Sequence, residues 1–335
     1  MRRGHAKGDG MGVISNLAYG VLASWPILPL RRRRLARSGI TVFMYHDIGD
    51  DSTDIDVWQI VRRSDFLRQV DYLRQHYRIV DLEQALREIQ SPESDKPLAV
   101  LTFDDGHRGN IEHLLPIVEQ EQLPVTLYIA TGHVETGQPY WFDRIVNHLQ
   151  SRQPIDLDLR DVGLHRYRFN ETRGALNWAK MQELLMAIKR LPAERCDPIT
   201  EQIMQRLPQT GKQAMVPLTP DEVRTLSKIP GITIGAHTDG HEVLTKVNLS
   251  VAEESIRQSV IKLQKWTGAA PRHFAYPAGY HNEALQKLIC NMGFASAMST
   301  DSGIWRPHHG LYRIPRISVG RYDTLNKFMV NALEG

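Results

Sequence analysis

Short apolar segments alternate with amphipathic segments along most of the chain. From Gly39 onward, runs long enough for buried strands are separated by segments with apolar residues every three or four positions, as on one helix face. The pattern predicts seven strands: Ile40–Met44, Leu98–Phe103, Val125–Ala130, Ile232–Ala236, His273–Tyr276, Ala295–Met298 and Ile314–Val319. Helices are predicted at Phe66–Tyr77, Asn110–Gln122, Leu285–Met292 and 324–333, and after a capping box at Ser250–Glu253. Such alternation builds parallel βαβ units, so we expect an α/β fold, a distorted (β/α)7 barrel.

One segment interrupts this alternation. Residues from about 140 to 215 contain helical patterns, at Ala175–Leu191 and Pro198–Leu207, but no clear buried strand. We interpret the segment as a mostly helical insertion between two barrel strands, on the face where active-site loops lie. Residues 219–222 then cap a helix and restart the regular pattern. The predicted barrel domain spans residues 39–335 and includes the insertion.

Positive charge is concentrated at the N-terminus. The chain of 335 residues has a formal net charge of +3, and residues 1–38 contain many basic residues against a single acid, Asp9. Without a nucleic-acid motif, this favours anionic lipid over nucleic acid as a partner. We expect peripheral membrane contact through residues 11–38 on the cytoplasmic side, with Trp25 at the interface. The alternatives are a weak export signal and a leader without a membrane role.

Two adjacent carboxylates follow the second predicted strand. Its last apolar residues lead directly into Asp104, Asp105 and Gly106. Barrel enzymes place their chemistry at the carboxyl ends of strands. Two carboxylates in one small site repel each other unless a cation lies beside them. The motif therefore predicts a cation site, with a simple strand-end turn as the alternative, because Asp and Gly both favour turns.

Two histidines follow the fourth predicted strand. His237 and His241 are four residues apart, so both imidazoles can reach one ion from one side of a turn. The spacing alone is a weak signal because the chain has 14 histidines, but the strand-end position matches that of the two aspartates. Asp105 and the two histidines would form a carboxylate–His–His set with open positions for water and substrate. We expect one divalent ion, with zinc favoured and cobalt, nickel or iron as alternatives.

Three motifs in order, TFDDG, HTDGH and FAYPAG, resemble the polysaccharide deacetylase family (NodB homology, carbohydrate esterase family 4). The resemblance covers roughly residues 40–319 and is closest to the branch that acts on poly-N-acetylglucosamine and related exopolysaccharides. It implies a distorted (β/α)7 barrel in which Asp104 is the general base. It also implies a metal site at Asp105 and the two histidines, and an oxyanion that accepts a hydrogen bond from the backbone N–H of Tyr276.

The chain departs from many members of that family at two positions. The third motif contains no arginine to hold the base, and the late segment 311–317 contains no histidine to act as the acid. In the exopolysaccharide branch, a Tyr-His pair at the end of the first strand supplies the acid, which implies His46 here; a loop-capping histidine is the alternative. Arg316 is the predicted partner that orients Asp104, with Arg313 as its rival and a surface salt bridge as the alternative for both.

Further side chains are candidates for contact with a sugar. Trp141, Phe142 and Asp143 open the insertion and could form a platform that stacks on a sugar face, although packing of the insertion on the barrel explains them equally well. His107 directly follows the aspartate motif and could line the site together with Tyr276. His308 and His309 are more simply interpreted as solvated loop residues.

The predicted function is metal-dependent hydrolytic removal of an N-acetyl group from an amino sugar in a polysaccharide or glycolipid. One alternative keeps this chemistry but acts on a lipid-linked sugar at the cytoplasmic face of the membrane, which the basic N-terminus suggests. The other is a carbohydrate-binding protein that has lost catalysis. Such a protein would lack the base or a metal ligand, whereas all four positions are occupied here.

Overall fold

A computed structural model describes residues 14–23, 28–52, 57–90, 95–150, 154–169, 175–191, 193–208 and 215–334. Residues 1–13 and Trp25, on which part of the membrane prediction depends, lie outside these ranges. Among the described residues, no helix combines the length and apolarity needed to cross a bilayer.

The described residues contain one large parallel sheet and two small pairs of strands. In chain order, the strands are β1 (Ile40–Tyr45), β2 (Asp47–Gly49), β3 (Ile60–Arg62), β4 (Arg78–Ile79), β5 (Leu98–Phe103), β6 (Val125–Ile129), β7 (Ile155–Asp158), β8 (Arg166–Phe169), β9 (Ile232–Ala236), β10 (His273–Ala275), β11 (Ser296–Met298) and β12 (Ile317–Ser318). The order in the large sheet is β11-β10-β9-β6-β5-β1-β12, and β4 also pairs with β5. The predicted strands are all present, and this mostly parallel, curled sheet surrounded by helices confirms the predicted fold class.

The seam of the barrel explains its distortion. β12 pairs with β1, but β11 meets the residues before β12 through an isolated parallel bridge between Met298 and Ile314 rather than a continuous ladder. Pro315 has no N–H to donate, and the N–H of Arg316 donates to the carbonyl of Asp301 at 2.9 Å. The ladder is interrupted at these two residues, so the seventh strand is shorter than predicted.

Helices surround the sheet. In chain order they are α1 (Ile14–Ala23), α2 (Leu28–Ala36), α3 (Arg63–His76), α4 (Leu82–Glu88), α5 (Leu115–Glu121), α6 (Thr131–Thr136), α7 (Trp141–His148), α8 (Ala175–Lys189), α9 (Ala193–Arg206), α10 (Pro220–Leu226), α11 (Leu249–Thr267), α12 (Glu283–Asn291) and α13 (Leu325–Glu334). A π-helical turn, Asn110–Leu114, precedes α5. Strands β1 and β5 are buried throughout, which accounts for their uninterrupted apolar runs.

Two predicted helix starts have different outcomes. Thr219 and Glu222 form a complete capping box at the start of α10, as predicted. The predicted capping box at Ser250–Glu253 is wrong, because α11 begins at Leu249 and its N-cap lies two residues before Ser250. Its N-cap is Asn248, whose backbone is extended. Ser250 therefore already lies within the first turn.

The segment from α7 to α9 has its own apolar core. It contains α7, α8 and α9, and also an antiparallel hairpin of β7 and β8 that was not predicted. In β7, Ile155 and Leu157 are buried whereas Asp156 is exposed, so only alternate residues are apolar. Four-residue strands with one solvent-exposed face give a weak sequence signal, which is why these two strands were not predicted.

Candidate metal centre and catalytic site

The candidate catalytic side chains lie where parallel strands end. Tyr45 and Phe103 are partners at the ends of β1 and β5. The N–H of Asp104 donates to the carbonyl of Tyr45 at 3.0 Å, so His46 and Asp104 leave the sheet side by side. Two strands further along, β9 ends immediately before His237. The parallel register thus brings residues from three distant segments to one edge of the barrel.

A sharp turn separates the two adjacent carboxylates. Asp105 and Gly106 both have φ of 76°, in the left-handed region that most side chains avoid. A Cβ at Gly106 would also lie 3.0 Å from Cδ1 of Ile129, so glycine suits this position in both conformation and space. The turn directs Asp104 and Asp105 to different partners, which relieves the repulsion expected between neighbouring carboxylates.

Asp105, His237 and His241 form a cluster that can hold a metal ion. Oδ1 of Asp105 lies 3.3 Å from Nε2 of His237 and 3.2 Å from Nε2 of His241. One candidate ligand atom from each residue lies within 4.8 Å of the others. Ligand atoms about 2.0–2.2 Å from a tetrahedral ion are separated by about 3.4 Å. The spacing and the chemistry of this donor set therefore fit a divalent ion.

The protonation of the two imidazoles also fits metal binding. Nδ1 of His237 lies 2.7 Å from the carbonyl oxygen of Ala275, which can only accept, so this nitrogen carries the hydrogen and Nε2 keeps its lone pair. Burial lowers the pKa of His241 to about 4, so its ring is neutral at pH 7. For His237, burial lowers the pKa but the interactions with Asp105 outweigh it and raise the pKa. A metal ion would compete with that proton.

The loop that carries both histidines is fixed by Asp239. Its carboxylate accepts a hydrogen bond from Oγ1 of Thr131 at 2.6 Å and forms an ion pair with Nζ of Lys262 at 2.9 Å. Its carbonyl oxygen accepts from the N–H of Gly132 at 2.7 Å. The loop is thus attached to the start of α6 and to α11, which limits movement of the two imidazoles.

Asp104 is held by a bidentate arginine. Nη1 and Nη2 of Arg316 each donate to one oxygen of Asp104 at 2.7 Å, and both side chains are buried. Nε of Arg316 donates to the carbonyl of Ser299 at 2.9 Å, so the guanidinium is itself fixed. Burial alone would raise the pKa of Asp104, but Arg316 outweighs it and holds the pKa below its ordinary value. Arg313, the rival candidate, is exposed and donates to the carbonyl of His309.

His46 lies beside the metal-ligand cluster without belonging to it. Its Nε2 is 4.0 Å from Oδ2 of Asp105, and its ring packs edge-on against Trp58 with the centres 5.8 Å apart. Nδ2 of Asn110 donates to the backbone carbonyl of His46 at 3.0 Å. Burial lowers the pKa of His46, against the nearby charges of Asp105 and Asp104, which raise it. The imidazole is therefore mainly neutral at pH 7 before substrate binds.

Tyr276 does not offer the hydrogen bond expected of it. Its backbone N–H donates to the carbonyl of Met298 at 3.0 Å, because the β10–β11 ladder continues one residue beyond β10. Its hydroxyl donates to the carbonyl of Tyr312 at 3.0 Å, and the ring is buried against Phe274. The predicted roles of Tyr276 as oxyanion donor and sugar contact therefore find no support in its hydrogen bonding.

The start of the insertion forms one wall of the metal site. The hydroxyl of Tyr140 donates to the backbone carbonyl of Asp105. The rings of Tyr140 and Phe142 lie 5.0 and 5.4 Å, centre to centre, from the ring of His241. Trp141 is half-buried and packs edge-on against Phe142, so its predicted sugar contact stays a prediction. The contacts of Tyr140 and Phe142 with His241 were not predicted, because a 3.6-residue pattern cannot show which ring faces a loop on another segment.

A buried ion pair joins the aspartate motif to the insertion. Nε2 of His107 lies 2.9 Å from Oδ2 of Asp143, and neither side chain has exposed surface. The predicted contact of His107 with a sugar is therefore not supported, because the insertion covers it. Burial opposes the charge on His107, but Asp143 outweighs burial and raises the pKa of His107 to about 9. His107 is therefore protonated at neutral pH, whereas burial raises the pKa of Asp143 against the attraction of His107.

The pair predicts a loss of stability at alkaline pH. Because the pKa of His107 in the folded chain, about 9, exceeds its ordinary 6.5, the contribution is complete below pH 6.5 and is lost as the pH rises through 9. That difference corresponds to about 3 kcal/mol. Urea unfolding of the chelator-treated protein at pH 6 and 9.5 measures it. Asp143→Asn should remove most of this pH dependence; an unchanged dependence would show that the pair contributes nothing.

The chain matches a known protein family in sequence. The polysaccharide deacetylase family model matches residues 91–297, which include the aspartate motif and both histidines of the cluster but neither His46 nor Arg316. No curated protein sequence matches the chain.

Several solved structures are similar to this one. The Streptococcus pyogenes deacetylase PplD, in complex with acetate, is 16% identical with a TM-score of 0.59, covering 89% of this chain and 100% of its own. IcaB from Ammonifex degensii is 17% identical with a TM-score of 0.57, covering 88% and 97%. A de-N-acetylase from Aggregatibacter actinomycetemcomitans is 15% identical with a TM-score of 0.52, covering 88% and 99%. At these identities the likeness is one of fold.

The family assignment therefore depends on the sequence match, and the structural likeness agrees with it. The matched residues make up more than half of the chain and contain the ends of β5 and β9, which carry the metal-ligand cluster. The chain belongs to the polysaccharide deacetylase family, the carbohydrate deacetylases of the NodB type.

Proposed function

We propose that this protein is a metal-dependent hydrolase that removes the acetyl group from an N-acetylated amino sugar. The observation that carries the proposal is the juxtaposition of two differently partnered carboxylates at one strand end. Asp105 is shared by two imidazoles, whereas Asp104 is held by a buried arginine. Asp105 can therefore bind a cation, while Asp104 remains available to accept a proton.

Asp105, His237 and His241 would hold the ion. A divalent ion there supplies Lewis acidity, which polarises the acetamide carbonyl and makes a water molecule more acidic. The three residues keep the ion at the carboxyl edge of the barrel, because a short turn and the loop fixed by Asp239 position them. The lone pair of His241 is available at neutral pH, whereas an ion would compete with a proton for Nε2 of His237.

Asp104 would act as the general base. Arg316 keeps this carboxylate ionised and fixes its plane, so one orientation is maintained while it accepts a proton from the attacking water. Because the guanidinium of Arg316 is fixed, the carboxylate of Asp104 has little freedom to move during the reaction. A carboxylate with a low pKa is a weak base in solution, so it depends on a water that is already acidified.

His46 would act as the general acid. The departing amine must be protonated as the carbon–nitrogen bond breaks, because an amide anion is a very poor leaving group. Since His46 is mainly neutral in the free enzyme, it must take up a proton from bulk water as negative charge develops at the scissile carbonyl. Asp104 then returns the proton taken from the attacking water to bulk solvent, which balances the proton that His46 takes up and gives to the amine. Acetate and a free amino sugar are the products.

Replacement of His46 by glutamine should lower kcat by about 10²- to 10³-fold. Metal affinity should change little, because Nε2 is 4.0 Å from Asp105 and outside the ligand cluster. The measurement pairs acetate release with a metal titration of the same preparation. His308→Ala is the control, because His308 lies in an exposed turn. Gln69→Ala in α3 would not serve, because that side chain is buried. An unchanged kcat in His46→Gln would remove His46 from the mechanism.

The proposed activity is tested by acetate release from a panel of N-acetylated oligosaccharides. We expect release from an N-acetylglucosamine oligomer and formation of one free amine per acetate. Acetate should not be released at a comparable rate from the corresponding O-acetylated sugars, whose amines are already free. If the protein loaded with zinc, cobalt, nickel or iron in turn releases no acetate from any N-acetylated sugar, the proposal fails.

A further inference from the structure

A lysine of the insertion reaches the wall of the metal site. Lys189 is the last residue of α8, and its Nζ lies 5.4 Å from the centre of the Phe142 ring. The same ring lies 5.4 Å, centre to centre, from the ring of His241. A single aromatic side chain thus connects the ammonium to the metal-ligand cluster. Nothing in the mechanism above uses this charge.

Within the described ranges, the ammonium of Lys189 contacts the Phe142 ring but no hydrogen-bond acceptor. Among the described residues, no carboxylate or carbonyl oxygen accepts a hydrogen bond or ion pair from its Nζ. Asp105 and Asp143 are close enough to act on it through space, but each already has imidazole partners. A half-buried charge without an acceptor is costly, and that cost falls when a ligand supplies the acceptor.

The backbone of Lys189 is fixed, so its reach is limited. Nζ of Lys246 donates to the carbonyl of Lys189 and, at 3.4 Å, to that of Leu191. This ammonium satisfies carbonyls at the C-terminus of α8, where a positive charge is favourable. Lys246 follows the loop that carries His241, so the end of α8 is fastened to the metal-site side of the barrel.

We propose that Lys189 forms an anion subsite beside the catalytic centre, where it binds a carboxylate or phosphate group of a substrate that also carries the acetylated amino sugar. The inference rests on the proposed deacetylase function and adds the class of substrate. An ion held by Asp105 would offset the charge of that carboxylate, which acts on Lys189, and so would favour an anionic substrate further.

Direct binding to the metal-loaded Asp104→Asn protein tests the subsite without turnover. The probes are a hyaluronan tetrasaccharide, which carries carboxylates, N-acetylglucosamine 1-phosphate, which carries a phosphate, and the neutral N-acetylglucosamine tetrasaccharide. Lys189→Met should weaken binding of at least one anionic probe about tenfold more than binding of the neutral one, and Lys189→Arg should retain the preference. The probe that responds identifies the anion as carboxylate or phosphate.

A lysine of the same helix provides the control. Nζ of Lys180 donates to the carbonyl of Arg168 at 3.0 Å on the exposed side of α8, so Lys180→Met should leave all three affinities unchanged. Equal losses for charged and neutral probes in Lys189→Met would overturn the subsite. A second result would also overturn the subsite. If Lys189→Met in an otherwise wild-type protein lowers kcat on the neutral tetrasaccharide and shifts its pH profile, Lys189 acts as a proton donor. If the wild type deacetylates the neutral sugar and prefers no anion, only the subsite fails; if it binds and deacetylates none, both proposals fail.

Discussion

Replacement of Asp104 by asparagine is expected to lower kcat for acetate release by about 10³-fold, within the range that loss of a general base produces. Asparagine has nearly the same shape but cannot accept the proton from water. Asp105 and both histidines are untouched, so the metal content should be the same as in the wild type. The loss should therefore appear in kcat and not in metal occupancy.

The variant also leaves Arg316 buried opposite a neutral amide. One hydrogen bond to the guanidinium can remain, but the charge is no longer matched, so unfolding should occur at a lower temperature. Circular dichroism and metal content separate lost chemistry from lost structure. Asp161→Asn is the matched control, because that carboxylate is exposed and pairs with Arg206 in the insertion. Full activity in a folded Asp104→Asn protein would exclude Asp104 as the base.

Replacement of His241 by alanine should have the second largest effect, through the metal. Removing a residue that merely supports a metal ligand typically costs 10- to 100-fold in affinity, so removing a ligand should cost more than about 100-fold. Acetate release at low metal concentration should fall by at least as much. Part of it should return at high metal concentration, because Asp105 and His237 remain.

His308→Ala is the control for this variant, since His308 is exposed in a turn outside the cluster. The measurement is a competition titration of the purified proteins with zinc and a chelator of known affinity. Equal zinc affinity in His241→Ala and in the wild type would show that the cluster is not the metal site.

The fold could be predicted because its strands are buried on both faces. β1 and β5 are apolar at nearly every position, and polar residues begin where each strand ends. The same boundary identified Asp104, Asp105 and His237, since chemistry at the carboxyl end of a parallel strand requires a polar residue directly after an apolar run. Short strands such as β7 and β8 have no such boundary.

Contacts across the insertion could not be predicted from local pattern. His107 and Asp143 are 36 residues apart, and the buried pair they form depends on how the insertion folds over the barrel. The contact of Arg316 with Asp104 spans 212 residues, and only its position near the seam favoured it over Arg313. The N–H of Tyr276 was expected to be free, but the β10–β11 ladder extends past the end of β10 and engages it.

The most direct test of metal-dependent deacetylation is acetate release from the N-acetylglucosamine tetrasaccharide by chelator-treated protein, before and after zinc is added back. Activity should be absent after chelation and should return in proportion to bound zinc, up to about one ion per chain. His241→Ala should not recover under the same conditions. Full activity in a protein shown by elemental analysis to contain no metal would contradict the account.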